Sequence, residues 1–89
     1  MITTDIKITN RLGLHARPAA KVVETASGFA CDIFITKDQV ETNAKSIMGV
    51  LMLAAEYGST LHLKFDGEDE EAACKALQDL FANNFNEEF

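Results

Sequence analysis

Gly13-Leu14-His15-Ala16-Arg17-Pro18-Ala19-Ala20 is the stretch in which one periodicity gives way to another. Upstream, Ile2, Thr4, Ile6 and Ile8 share one parity and Thr3, Asp5 and Lys7 the other, the alternation of a strand with one face on a core. Asn10 to Gly13 breaks that pattern as a short loop. Downstream, Ala16, Ala19, Ala20, Val23 and Ala26 recur at helical spacing, while Lys21, Glu24 and Thr25 fall on other sides. The spacing predicts a helix of about three turns. Pro18 suits its first turn, where an N–H would have no intrahelical partner. Gly28 is expected to end it in a left-handed conformation.

The rest of the chain extends the same reading. Cys31, Ile33 and Ile35 alternate with Asp32, Phe34 and Thr36 as a second strand. Lys37-Asp38-Gln39 suits a hairpin turn, and Val40, Thr42 and Ala44 continue inward on a weaker third strand. Ser46 stands where an N-cap should, ahead of an apolar helical run from Ile47 to Ala55 that Gly58 is expected to close. Leu61, Leu63 and Phe65 then face in, with Thr60, His62 and Lys64 facing out, as a fourth strand. The acids between Asp66 and Glu71 precede the ladder Ala73, Ala76, Leu77, Leu80 and Phe81, and acids in a first turn favour a helix start through its dipole. Asn83 to Phe89 is expected to fray.

The order is therefore β-α-β-β-α-β-α. Alternating strands leave one sheet face wet, which points to an α+β open-faced two-layer sandwich, an antiparallel sheet with helices on one face. Periodicity does not give the strand order. At 89 residues the chain is expected to be one domain, residues 1–89, with a single core.

A formal net charge of -6 argues against a nucleic-acid partner, which requires a basic face. No apolar run reaches roughly 18 residues, and the first residues lack signal-peptide character. A cytoplasmic protein without membrane insertion is expected. Cys31 and Cys74 show no CxxC or metal-ligand spacing and read as small buried residues. Neither a metal nor a cofactor is expected.

The chemistry concentrates at His15. The first turn of a helix is an anion site by virtue of its N–H groups and dipole. Arg17, two residues on, offers a guanidinium fork to phosphate oxygens. Gly13 is expected to leave the approach to the ring open. Imidazole can accept a phosphoryl group and release it again. The chain has no Gly-rich phosphate loop and no evident nucleotide site, so independent turnover of a small substrate is not expected; donor and acceptor should be proteins.

The run from Ile47 to Ala55 carries more apolar surface than a short helix on a one-sided core can bury. A Val50, Leu53 and Ala54 stripe would leave Ile47, Met48, Leu51 and Met52 outward. An Ile47, Val50, Leu51 and Ala54 stripe is equally regular. Methionines on the outer face would suit several partners. A phosphate on Ser46 would be tolerated at a helix N-terminus and would add charge beside this patch.

The two motifs Gly13-Leu14-His15-Ala16-Arg17-Pro18-Ala19 and Lys45-Ser46-Ile47-Met48-Gly49-Val50 resemble those of the HPr family, phosphocarriers of the bacterial phosphoenolpyruvate-dependent phosphotransferase system. The resemblance covers nearly the whole chain. It implies the sheet order 1-4-2-3 with three helices on one face. It implies phosphorylation of His15 on Nδ1 by enzyme I, transfer to an enzyme IIA component, and Arg17 steadying the phosphate. It also turns Ile47, Met48 and Leu51 outward, with Met52 alongside, as a partner surface. Ser46 matches the serine that an HPr kinase/phosphorylase modifies in some bacteria. Ile8 to Gly13 and the tail Leu80 to Phe85 look like the nitrogen-related branch, NPr, whereas the serine motif is close to sugar-system HPr, so both branches stay open. A monomer is expected. Two other classes compete: an HPr-like regulatory module that docks to a transcription factor or enzyme, and a small-ligand-binding domain.

Overall fold

The computed structural model describes residues 1–86. In chain order the elements are β1 (Ile2–Lys7), α1 (Ala16–Ser27), β2 (Asp32–Lys37), β3 (Val40–Asn43), α2 (Ile47–Met52), β4 (Thr60–Asp66) and α3 (Glu70–Ala82), followed by a 3-10 turn at Asn84–Asn86. The four strands form one sheet in the order β1-β4-β2-β3, and every neighbouring pair is antiparallel. β4 is central, with Ile2 opposite Phe65 and Lys7 opposite Thr60 on one side, and Ile33 opposite Phe65 on the other.

Because side chains alternate along a strand, this register stacks Ile33, Ile35, Leu61, Leu63 and Phe65 on one face, all buried. The helices cover that face, adding Ala19, Val22, Ala26, Val50, Leu77 and Phe81 to the core. The other face carries Thr3, Asp5 and Lys7 beside Lys64, His62 and Thr60, with His62 Nδ1 paired to Asp5 at 2.6 Å.

Several local expectations change. Along α1 the buried line is Pro18, Ala19, Val22 and Ala26; Val23 is only partly buried, and Ala16 and Ala20 are exposed. Alanine suits either side of a helix, so it did not mark the inner face, whereas the bulk of Val22 fills the core. Gly28 is right-handed, at φ −76°, and the helix ends by tightening, with Gly28 N–H donating to Thr25 C=O at 3.2 Å. The hairpin turns at Asp38 and Gln39, both with positive φ (50° and 69°). That is a type I′ turn, whose twist matches the flanking strands. Val40 beyond it is exposed rather than inward, on a short edge strand.

α2 stops at Met52, well before Gly58. Ala54 adopts φ +50° and reverses the chain, so it is exposed while Ala55 is buried. The segment after α3 does not fray at residues 83–86; Phe85 is buried and lies edge-on against Phe81, with centroids 4.9 Å apart. The remainder of that expectation, residues 87–89, lies outside the described residues.

The acids ahead of α3 tie the fold together as well as starting the helix. Asp69 accepts from the backbone N–H groups of Ala30 (2.8 Å) and Cys31 (2.9 Å), and Glu70 accepts from Gly67 N–H and pairs with the N-terminus. The Ala30 bond, with those of Cys31, holds the Asp69 carboxyl below its usual range. A carboxyl depressed in the folded state stabilises the fold above its unfolded pKa, about 3.9, and loses that contribution as pH falls through the lower folded value. Asp69→Asn should therefore melt several degrees lower at pH 7, with the gap to wild type shrinking below about pH 3.9 in thermal melts; a gap independent of pH would contradict this account.

Candidate functional site

His15 occupies the N-cap position of α1 in an extended conformation (φ −83°, ψ −170°). Its C=O accepts from Ala19 N–H at 2.9 Å, the first bond of the helix, yet its side chain makes no capping hydrogen bond. Helix capping thus does not account for a histidine here. The ring is half-buried, with Nε2 turned into the protein. At the same helix start stand the amides of Ala16 and Arg17, which have no intrahelical acceptor, whereas buried Pro18 has no N–H at all. Arg17 is exposed one position further along than Ala16. A helix N-terminus with an exposed arginine two residues after the histidine suits a phosphoryl group.

The loop that sets His15 is held from below. Leu14 is buried and its N–H donates to Ala55 C=O at 2.8 Å. Asn10, 2% exposed, donates from Nδ2 to Gly13 C=O at 2.8 Å. Gly13 has φ +69°, and a Cβ there would lie 2.4 Å from the Ala55 carbonyl oxygen. Its role is therefore close backbone contact rather than openness around the ring: the first residue of the motif is pressed onto the loop that follows α2. Asn10 and Gly13, three apart, are the turn signal that would have revealed this.

That contact brings the His15 loop beside α2. Ser46 caps α2, its Oγ accepting from Gly49 N–H at 3.2 Å, and Val50 and Leu53 point into the core. Ile47 (39%), Met48 (66%), Leu51 (36%) and Met52 (75%) are exposed. Of the two wheels, the Val50 and Leu53 stripe is the inner one, with Ala55 in place of Ala54. α2 sits close on β3 through Gly49, where a Cβ would clash with the Thr42 side chain. Ser46 lies at the far end of α2 from Ala55. The sequence also failed to single out Leu12 and Tyr57, which are exposed at 62% and 66% on the loops flanking His15; isolated apolar residues in loops carry no periodicity.

Both cysteines are buried and free. Burial, with a hydrogen bond to Asp69, pushes the Cys31 thiol up to about 11, so it stays protonated and unreactive at neutral pH. Among the described residues no group of three or more His, Cys, Asp or Glu could hold a metal ion, and no helix is long and apolar enough to cross a membrane.

Residues 2–83 match the family model described as the PTS HPr component phosphorylation site. The chain belongs to the HPr family. A phosphocarrier protein HPr from Xylella fastidiosa strain Temecula1 is 48% identical over 88 residues, 99% of each chain. The structure of HPr-C-His from Thermoanaerobacter tengcongensis superposes with a TM-score of 0.96 at 48% identity, covering 100% of both chains. HPr family membership places the chain among the phosphocarriers of the phosphotransferase system and implies partners from that system. The family does not carry the expectation of a monomer, since an HPr dimer from T. tengcongensis also matches, with a TM-score of 0.79 over 98% of this chain and 100% of that one at 48% identity.

Proposed function

We propose that His15 accepts a phosphoryl group from phospho-enzyme I on Nδ1 and passes it to an enzyme IIA component. The observation that carries this reading is a histidine at the start of α1 whose side chain does not cap the helix. Nε2 is turned inward, and the incoming group is therefore assigned to Nδ1. Its lone pair forms the new bond to phosphorus as the bond to enzyme I breaks, and the reverse exchange releases the group to enzyme IIA. Arg17 and the first amides of α1 take the charge of the phosphate oxygens. Neither step needs a nucleotide or a metal from this chain.

Ile47, Met48, Leu51 and Met52 form the surface on which both partners dock, one after the other. A cytoplasmic carrier of this kind acts as a single domain, residues 1–89, and as a monomer, because one face must serve successive partners. Phosphorylation of Ser46 by an HPr kinase/phosphorylase adds charge at the rim of that face and weakens docking.

One labelling experiment tests the scheme. With phosphoenolpyruvate and enzyme I, the protein should gain one acid-labile phosphate, lost completely in His15→Ala, and each candidate enzyme IIA should be tried for its discharge. Retention of the label in His15→Ala would overturn the assignment, and full function of that variant in cells would favour a docking module instead. An acid-stable phosphate formed with ATP and the kinase, absent from Ser46→Ala, marks the regulatory step; its failure to form removes that step alone.

A further inference from the structure

We infer that Arg11 and Tyr57 form a second anchor beside the phosphoryl site, a recess for an acidic side chain on a partner's docking surface. The inference rests on the carrier reading and deepens it.

Two turns lie side by side here. In the first, Gly13 N–H donates to Asn10 C=O at 3.3 Å, so Arg11 and Leu12 stand at its tip. In the second, Ser59 N–H donates to Glu56 C=O at 2.9 Å and Glu56 N–H donates to Ser59 Oγ at 3.0 Å, which puts Tyr57 at the tip with Gly58 at φ +88° behind it. The turns are locked together by Ile8 N–H to Ser59 C=O (2.8 Å), Gly58 N–H to Ile8 C=O (2.9 Å) and Leu14 N–H to Ala55 C=O (2.8 Å). Between them is a shallow recess of about 300 Å³ lined by Arg11 and Tyr57. Its backbone walls are already ordered, so little conformational entropy is lost when a partner enters.

Charge names the occupant. The chain has only two arginines, Arg11 and Arg17, and both stand on the segment around His15. The acids Asp66, Glu68, Asp69, Glu70 and Glu71 gather at the opposite end of the sheet, since β1 and β4 run antiparallel from the Lys7–Thr60 pair to the Ile2–Phe65 pair. A partner approaching the His15 end therefore meets guanidinium groups within a chain of net charge -6. A carboxylate seated on Arg11, with its carbon stem against the Tyr57 ring, uses the two described residues that line the recess; arginine and tyrosine are residue types on which binding energy concentrates. Because the anchor lies outside the α2 face, it lets the carrier discriminate between partners that share that face.

The test is steady-state phosphoryl transfer from enzyme I and to enzyme IIA at low and physiological salt, with Arg11→Glu, Arg11→Lys and Tyr57→Ala, each shown by thermal melting to be folded. For at least one partner, Arg11→Glu should raise KM about tenfold with kcat within about twofold, and weaken the salt dependence; Arg11→Lys should fall between it and wild type. Tyr57→Ala should raise the same KM. Wild-type KM for both partners in Arg11→Glu, or a fall in kcat at unchanged KM, overturns the anchor and leaves the carrier reading in place. Label persisting in His15→Ala overturns the carrier reading itself.

Discussion

Phe85→Ala should lower the free energy of unfolding by about 3–5 kcal/mol, the range for truncating a buried aromatic. Phe85 is 1% exposed although it lies near the end of the chain, and its ring meets Phe81 of α3 edge-on. The turn holding it is unfavourable by itself: Asn84 and Phe85 have φ of 49° and 60°, left-handed values that asparagine tolerates but that cost a phenylalanine about 1 kcal/mol or more. Packing must offset that strain, helped by Lys21 Nζ donating to Phe85 C=O and Thr9 Oγ donating to Asn84 Oδ1. Small domains have about 5–15 kcal/mol in all. A thermal melt should show Phe85→Ala falling by more than about 10 °C, while exposed Asn83→Ala barely moves. A shift for Phe85→Ala as small as that of Asn83→Ala would mean the turn is not packed in solution.

Gly13→Ala should cost about 2–4 kcal/mol and slow phosphorylation of His15 at least about tenfold. Two effects combine. An alanine at φ +69° is strained by about 1–2 kcal/mol. Its Cβ would also lie 2.4 Å from Ala55 O and 3.0 Å from Glu56 Cα, backbone atoms that cannot rotate aside. Relief requires the two loops to part, stretching the Leu14 to Ala55 hydrogen bond and shifting His15 at the start of α1. Gly58→Ala is the control: its φ is +88° but nothing lies within 4 Å of the added carbon, so only the strain is felt. Equal losses in the two variants, measured by denaturant melts, would rule out the steric contribution.

These two residues also mark where local sequence information stops. The strands were legible because alternation is a local property that any half-buried strand must show, and all four stand where it places them. Ser46 was legible as a cap for a similar reason, since its partner Gly49 is three residues away. The inner side of α1 was not, because alanines at 16, 19, 20 and 26 suit either side and only contact with the sheet separates them. The end of α2 was not, because Gly58 is the obvious breaker in the sequence, yet Ala54 turns the chain so that Ala55 can meet Leu14.

The site divides the same way. His15 and Arg17 at a helix start, and an apolar surplus from Ile47 to Met52, could be read from residue types and spacing, because helix polarity and amphipathicity depend on near neighbours. By itself, then, the sequence determined the α+β class, the element order and the residues on which the proposed phosphoryl transfer rests. Tertiary structure decided the rest: which apolar face of α2 is outward, why residue 13 is glycine, how Phe85 is held, and that Arg11 and Tyr57 share one recess. Each of those depends on atoms distant in the chain coming within a few ångströms, and no local pattern encodes such a distance.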